Sequence, residues 1–392
     1  KTSKHPGDIG YAGIMGAAPA PGMRPASGKR MIKPALRHPA KPTVLLLALI
    51  ILLNSGCQPN GTTPTAISTE IPAPGQSETI TIYFTDPTNP AADTYRGGID
   101  EILVAAIDQA QAAVDLAMYD LNLWSLRDAL IAAHQRGVSV RMVTESDNLD
   151  EPEIQALREA GIEVLGDRRE GLMHNKFVII DRWEVWSGST NLTTGGVYRN
   201  DNTLVRIRSS RLAQDFTTEF EEMFLDDDFG SGSPANTPYP QLSVDGIPLE
   251  VYFSPDDHVL NHMLALVDGA RQSVYFMAYS FTSDELAQAL LARAAAGIEV
   301  RGVFEADQYS ANIGTEFDHL LEGGLPVRLD GNPNHMHHKV IIIDGQTVIT
   351  GSYNFSANAE ETNDENLLVI HSPDVAALFL AEFQRVYNLA QP

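Results

Sequence analysis

Residues 171–191 read GLMHNKFVIIDRWEVWSGSTN, and residues 334–354 read NHMHHKVIIIDGQTVITGSYN. The second stretch copies the first at a displacement of 163 positions: His174 answers to His337, Lys176 to Lys339, Asp181 to Asp344, Ser189 to Ser352 and Asn191 to Asn354. In an extended strand residues i and i+2 share a face. His174 and Lys176 therefore point one way while Asn175 and Phe177 point into the opposite layer, and His337 and Lys339 behave alike. The apolar runs FVII and VIII that follow suit strands buried on both faces, which hold the polar pair on a rigid element.

The duplication extends outward from these strands. From Thr79 the pattern predicts strand TITIYF, helix 99–112, strand VDLAMY, helix 123–135, strand VSVRMV, helix 152–160 and strand IEVL, then the motif strand. The second half repeats that order from LEVYF, with Gly137 and Gly297 offset by 160 and Phe216 and Phe379 by 163, so a short loop insertion separates the two registers. This implies an α/β fold of two duplicated domains, each a mixed, mostly parallel sheet flanked by helices, paired about a pseudo-two-fold axis. The expected boundaries are an export segment 1–57, a disordered tether 58–78, a first domain 79–225, a linker 226–247 and a second domain 248–392. The expected state is a monomer that is internally a pseudo-dimer.

A doubled His/Lys/Asn set suits a phosphate centre. One imidazole can attack phosphorus while the second protonates the departing oxygen, and lysine ammonium, asparagine amide and serine hydroxyl can hold the anionic oxygens. Asp181 and Asp344, at the strand ends, are read as anchors for backbone. No HExxH, ligand-spaced carboxylate cluster or Walker-type glycine loop accompanies the set, so neither metal nor cofactor is expected in the chemistry. The other histidines, His335 and His338 among them, are read as ordinary core or surface residues, and Trp183 and Trp186 as packing on the following strand.

HxKxxxxD followed by GSxN, occurring twice, resembles the phospholipase D superfamily, and the likeness covers both halves from about Thr79 to Leu389. The resemblance implies a phosphoric diester hydrolase of the phospholipase D type that works through a covalent phosphohistidine. It also implies an acid eleven residues after each motif asparagine, orienting the histidine of the other half. Those positions hold Glu365 and Asn202. Glu365 would then contact His174 and Asn202 would contact His337, which makes His174 the nucleophile and His337 the general acid and base.

Composition places the chemistry in the cell. Residues 1–57 carry eight Lys/Arg and one acid, so the remaining body has 19 basic and 50 acidic residues, a net charge of −31. Such a body repels polyanions at long range. Basic residues 29–41 lead into the apolar run VLLLALIILL and then NSGC, a secretory layout whose apolar run of ten is too short to span a bilayer, which needs about 20 residues. The layout resembles a bacterial lipoprotein signal, with Cys57, the one cysteine of the chain, as the lipidated residue. The expectation is an exported enzyme anchored to a bacterial membrane, with secretion as the alternative and phospholipid head groups as substrate. A metal-independent nuclease comes second, because residues 166–211 hold eight Arg/Lys against five acids. Phosphatidyl transfer of the cardiolipin synthase type comes third.

Overall fold

The computed structural model describes residues 79–391, which belong to one compact unit. Cys57, the export segment and the tether lie outside the described residues. Among the described residues no helix is long and apolar enough to cross a membrane.

The first half contributes seven strands, β1 (Ile80–Phe84), β2 (Ala113–Met118), β3 (Ser139–Thr144), β4 (Glu163–Gly166), β5 (Lys176–Ile180), β6 (Glu184–Gly188) and β7 (Thr203–Arg208), in the order β1-β7-β6-β5-β2-β3-β4. The second half contributes β8 (Gln241–Val244), β9 (Ile247–Ser254), β10 (Ser273–Ala278), β11 (Glu299–Phe304), β12 (Val327–Leu329), β13 (Lys339–Ile343), β14 (Thr347–Gly351) and β15 (Glu365–His371), in the order β12-β11-β10-β13-β14-β15-β9-β8. Two α/β domains of the same design are thus present, each a mixed sheet flanked by helices.

The expectation of mostly parallel pairing needs correction. Parallel pairing is confined to β2-β3-β4 and β10-β11-β12, and the remaining pairs are antiparallel. The motif strands are followed by hairpins rather than crossovers. Asp181 and Arg182 both have φ of 52°, Asp344 and Gly345 have 54° and 62°, and the turns close through Trp183 N–H to Ile180 O and Gln346 N–H to Ile343 O. Two successive positive φ values are the mark of the type I′ turn, whose twist suits antiparallel strands. The segment read as a linker also carries structure, since β8 falls within 226–247 and forms the outer edge of the second sheet.

Burial on both faces of the motif strands is as the sequence implied. Phe177 and Ile179 join a core shared by the two halves while Val178 and Ile180 join the outer core of the first. Val340 and Ile342 face the shared core, and Ile341 and Ile343 face the second outer core. The shared core is closed by one helix from each half, Ser210–Glu221 and Pro373–Leu389. Phe216 packs edge-on against Phe253 of the other half at 5.1 Å, and Phe379 repeats the contact with Phe84 at 5.1 Å. Such reciprocal contacts are what a two-fold relation between like surfaces produces.

Candidate active site

The motif histidines sit where the halves exchange backbone. His174 and His337 lie just ahead of β5 and β13, and each is held by the opposite half through a parallel bridge, Met173 with Asp364 and Asp201 with Met336. His174 N–H donates to Asp364 O at 3.0 Å, and His337 N–H donates to Asp201 O at 2.8 Å. Ion pairs fasten both bridges, Arg169 holding Asp364 and Arg385 holding Asp201.

The residues eleven places after each motif asparagine reach across the axis. Glu365 Oε2 stands 2.7 Å from His174 Nδ1, and Asn202 Oδ1 stands 2.9 Å from His337 Nδ1. Asn202 donates its amide to Gly196 O at 2.8 Å, which aims its oxygen at the imidazole. Both contacts place the ring proton on Nδ1 and leave Nε2 as the basic nitrogen of each histidine.

Each lysine turns back on its own histidine. Lys176 Nζ donates to His174 O at 2.8 Å, and Lys339 Nζ lies 3.1 Å from His337 O and 3.2 Å from His337 Nε2. Both ammonium groups are buried, and among the described residues no carboxylate pairs with either. Burial, opposed by Glu365, pushes His174 down to about 4, and burial pushes Lys176 down to about 7. Burial also drives His337 and Lys339 well below their ordinary values, with the neighbouring cations adding to the effect. Glu365 acts on the set from within, Asp120 also acts on Lys176 and Glu305 on Lys339, yet burial still leaves all four basic groups shifted down, a state that an entering anion relieves.

Asn191 and Asn354 each keep a buried side-chain oxygen without a hydrogen-bond partner. That oxygen accepts and so suits a donor on a ligand, while only the amide nitrogen of each can hold an anionic oxygen. Unpartnered buried amides at equivalent positions are polar groups left for a ligand. The serines do other work. Ser189 Oγ donates to Asn202 Oδ1 at 2.8 Å and accepts from Thr203 N–H at 3.0 Å, while Ser352 Oγ accepts from Asn366 N–H at 2.9 Å. They brace the walls, the support role that was one of the two expected of them, and Ser189 spends its proton on Asn202. The glycine before each serine is required. A Cβ on Gly188 (φ 153°) would come within 2.3 Å of Thr203 O, and one on Gly351 (φ 151°) within 2.2 Å of Asn366 O.

Asp181 and Asp344 lie at the far ends of the strands and hold backbone, as expected of anchors. Asp181 accepts from the N–H groups of Gln111, Ala112 and Ala113, and Asp344 from those of Arg271, Gln272 and Ser273. Burial works against ionisation there, but three N–H donors keep both carboxyls below the ordinary range. A surface hollow of about 440 Å³ lined by Asp344 and Arg271 lies at this end of β13, away from the histidines.

Sequence reasoning missed two tyrosines. Tyr119 and Tyr279 follow β2 and β10, pack edge-on against His174 and His337 at 4.9 and 4.4 Å, and lie under Lys176 and Lys339 at 5.0 and 4.6 Å. Their shared offset of 160 was the available signal. It missed as well the polar seam through the axis, where Asn366 donates to Asn175 Oδ1 at 2.8 Å and accepts from Ser187 at 2.6 Å. His338 is a buried, satisfied histidine, bonded to Thr203 at 2.9 Å and Glu382 at 3.0 Å. Trp186 is buried on β6, but Trp183 is half exposed in the preceding turn rather than on the strand.

Two imidazoles, two ammonium groups and two amides delivered by two like domains define an enzyme of phosphodiester chemistry. A family model described as "Cardiolipin synthase, PLD-like domain" matches residues 103–224 and 263–387, more than half of the chain, and the chain belongs to that phospholipase D-like phosphodiesterase family. Among curated relatives, the mitochondrial cardiolipin hydrolase of Homo sapiens is 33% identical over 136 residues, covering 35% of this chain and 54% of the relative. A phospholipase D of Rickettsia bellii is 34% identical over 128 residues, covering 33% and 63% respectively. The chain therefore spans between half and two thirds of the length of these relatives. The solved phosphatidylserine synthase of Haemophilus influenzae shares the fold, with a TM-score of 0.60, 13% identity, and coverage of 81% of this chain and 90% of that one.

Proposed function

We propose that this protein hydrolyses phospholipid head groups by a phospholipase D mechanism, as an exported enzyme anchored to a bacterial membrane through Cys57. His174 Nε2 attacks phosphorus and the bond to the head-group oxygen breaks. His337 must enter this step as the imidazolium, with a second proton on Nε2 that the bound phosphate anion stabilises against the neighbouring cations, and it gives that proton to the departing oxygen. His337 then takes a proton from water, water oxygen bonds to phosphorus, and the nitrogen–phosphorus bond breaks to release phosphatidate and free His174. Lys176, Lys339, Asn191 and Asn354 hold the non-bridging oxygens. The observation that carries the assignment is the 2.7 Å contact of Glu365 with His174, set against a neutral amide at His337. A carboxylate stabilises the cationic phosphohistidine in a way that an amide does not.

Charge around the site supports lipid over nucleic acid. The charges acting on Tyr119 are those of Glu145, Asp120 and Asp147, and those acting on Tyr279 include Glu305 and Asp307, so acids surround both tyrosines. Half of the eight Arg/Lys in the basic segment 166–211 are already committed, since Arg168, Arg169, Arg182 and Arg208 end in ion pairs.

The test incubates the chain, in chelator, with detergent-mixed vesicles of phosphatidylcholine, phosphatidylethanolamine and phosphatidylglycerol, and separately with plasmid DNA. Release of head group with intact plasmid is expected. Nicking of plasmid without head-group release would replace this reading with a nuclease, and phosphatidyl transfer to added glycerol would replace it with a synthase. Cys57→Ser should move the protein from membrane to soluble fraction without loss of specific activity.

A further inference from the structure

One group of potential metal ligands among the described residues stands outside the catalytic set: Glu305, Asp307 and His335. His335 Nδ1 lies 2.9 Å from Glu305 Oε1 and 4.0 Å from Asp307 Oδ2, and the three ligand atoms fall within 4.8 Å of one another. Ligands bound at about 2.0–2.2 Å to one ion stand roughly 3–3.5 Å apart, so small shifts would close this set. The rigidity is unevenly distributed. Glu305 is buried and caps the helix Ala306–Ala311, accepting Gln308 N–H at 2.5 Å through its other oxygen, and His335 is fixed through its carbonyl, which accepts Asp201 N–H at 2.9 Å. The Asp307 side chain is 78% exposed and free to swing in.

The duplication supplies an internal control. Glu145 and Asp147 repeat Glu305 and Asp307 at the offset of 160, but the position of His335 is filled by Leu172. There Glu145 turns to the backbone instead, accepting Met173 N–H at 3.1 Å. The first half keeps the two carboxylates and lacks the nitrogen ligand.

We propose that Glu305, Asp307 and His335 bind a divalent transition-metal ion, of the zinc or cobalt class, beside the His337 half of the active site. One imidazole with two carboxylates suits such ions, whereas magnesium and calcium favour all-oxygen sets. Binding displaces the proton from His335 Nδ1, breaking its hydrogen bond to Glu305 as both groups turn to the ion. The consequence for turnover follows from contact. The Tyr279 ring touches both His335, at 5.9 Å, and His337, at 4.4 Å, and its hydroxyl accepts from Gln308 Nε2 at 3.2 Å. An ion that draws Asp307 and His335 together tightens the ring of groups around Tyr279, on the side where the head group would leave. The ion is an inhibitor, and removing it with chelator restores activity; only this consequence rests on the proposed hydrolysis.

Cobalt(II) titration of the full chain, read by visible absorption, tests binding without reference to any substrate. One ion per chain is expected, with affinity lowered at least about tenfold in both His335→Leu, which installs the residue of the first half, and Asp307→Asn. His335→Leu should keep its turnover in chelator within about twofold of the parent and lose sensitivity to added zinc. Equal cobalt binding by parent and His335→Leu, or no binding by the parent, would overturn the proposal. Binding without inhibition would overturn the regulatory consequence alone.

Discussion

The two halves share a fold and a motif but differ at the groups that face their histidines. His174 meets the carboxylate of Glu365, and His337 meets the amide of Asn202. The asymmetry continues one layer deeper. Asn175 reaches Glu219 at 3.1 Å, and burial holds that carboxyl well above its ordinary range. Its counterpart His338 reaches Glu382, where Arg385 and His338 outweigh burial and bring the carboxyl down to about 2. Beneath the first histidine the polar layer leans toward neutrality, and beneath the second it is an ion-paired network. Duplication thus preserved the positions of the reacting groups while the partners that tune them diverged.

The largest effect expected from breaking this comparison comes from the histidines themselves. His174→Asn should lower turnover by about 10⁴-fold or more and abolish trapped phosphoprotein. His337→Asn should impair hydrolysis of natural diesters by about 10²–10⁴-fold yet still form the phosphoenzyme from a diester with an acidic leaving group. Phosphate found on His337 would reverse the assignment. Next in size, Glu365→Gln should reduce kcat by about 10²–10⁴-fold and Asn202→Ala by only about tenfold, measured at saturating substrate. Equal losses would mean that the two histidines are interchangeable.

The pH profile sharpens the same contrast. With His174 pushed down to about 4 and Lys176 to about 7, the free protein holds a basic imidazole and a charged lysine together between those values. kcat/KM should fall on the acid side as His174 takes a proton near pH 4, and on the basic side as Lys176 loses one near pH 7. Glu365 raises both groups, so Glu365→Gln should move both limbs to lower pH. An acid limb at the ordinary histidine value of about 6.5 would contradict the burial argument.

The smallest effect tests what the halves kept in common. Asp181→Asn and Asp344→Asn should each cost about 1–2 kcal/mol of stability, by similar amounts, with activity per folded molecule retained. Because the folded carboxyls lie below their unfolded range, the stabilisation is present at neutral pH and is lost as pH falls through the folded value, so thermal melts of parent and variant should converge in acid.

Much of the site was legible because its spacing is local. The i, i+2 placement of His174 and Lys176, the doubly buried FVII run and the strand-end aspartates all follow from a few adjacent residues. The reach of Glu365 and Asn202 came instead from the resemblance to the phospholipase D superfamily, which implies an orienting acid eleven residues after each motif asparagine. The sheet pairing was misjudged although Asp344-Gly345 is a strong hairpin signal, because the preceding strand–helix alternation suggested crossovers throughout. Tyr119 and Tyr279 left only their shared offset of 160 as a signal, while the Asn366–Asn175 bond and the Arg169–Asp364 pair were invisible for a different reason. These two contacts join residues that are remote in sequence.

The bridges between Met173 and Asp364 and between Asp201 and Met336 have a further consequence. A self-paired assembly of first halves would set an Asn202 against each His174 and contain no carboxylate of the Glu365 kind, while one of second halves would contain two. Under the proposed mechanism the first half paired with itself would therefore set no carboxylate against the attacking histidine. The histidine proposed to attack contacts a residue 191 positions downstream. On that proposal, joining the two halves in one chain is a condition of function and not only a convenience of assembly.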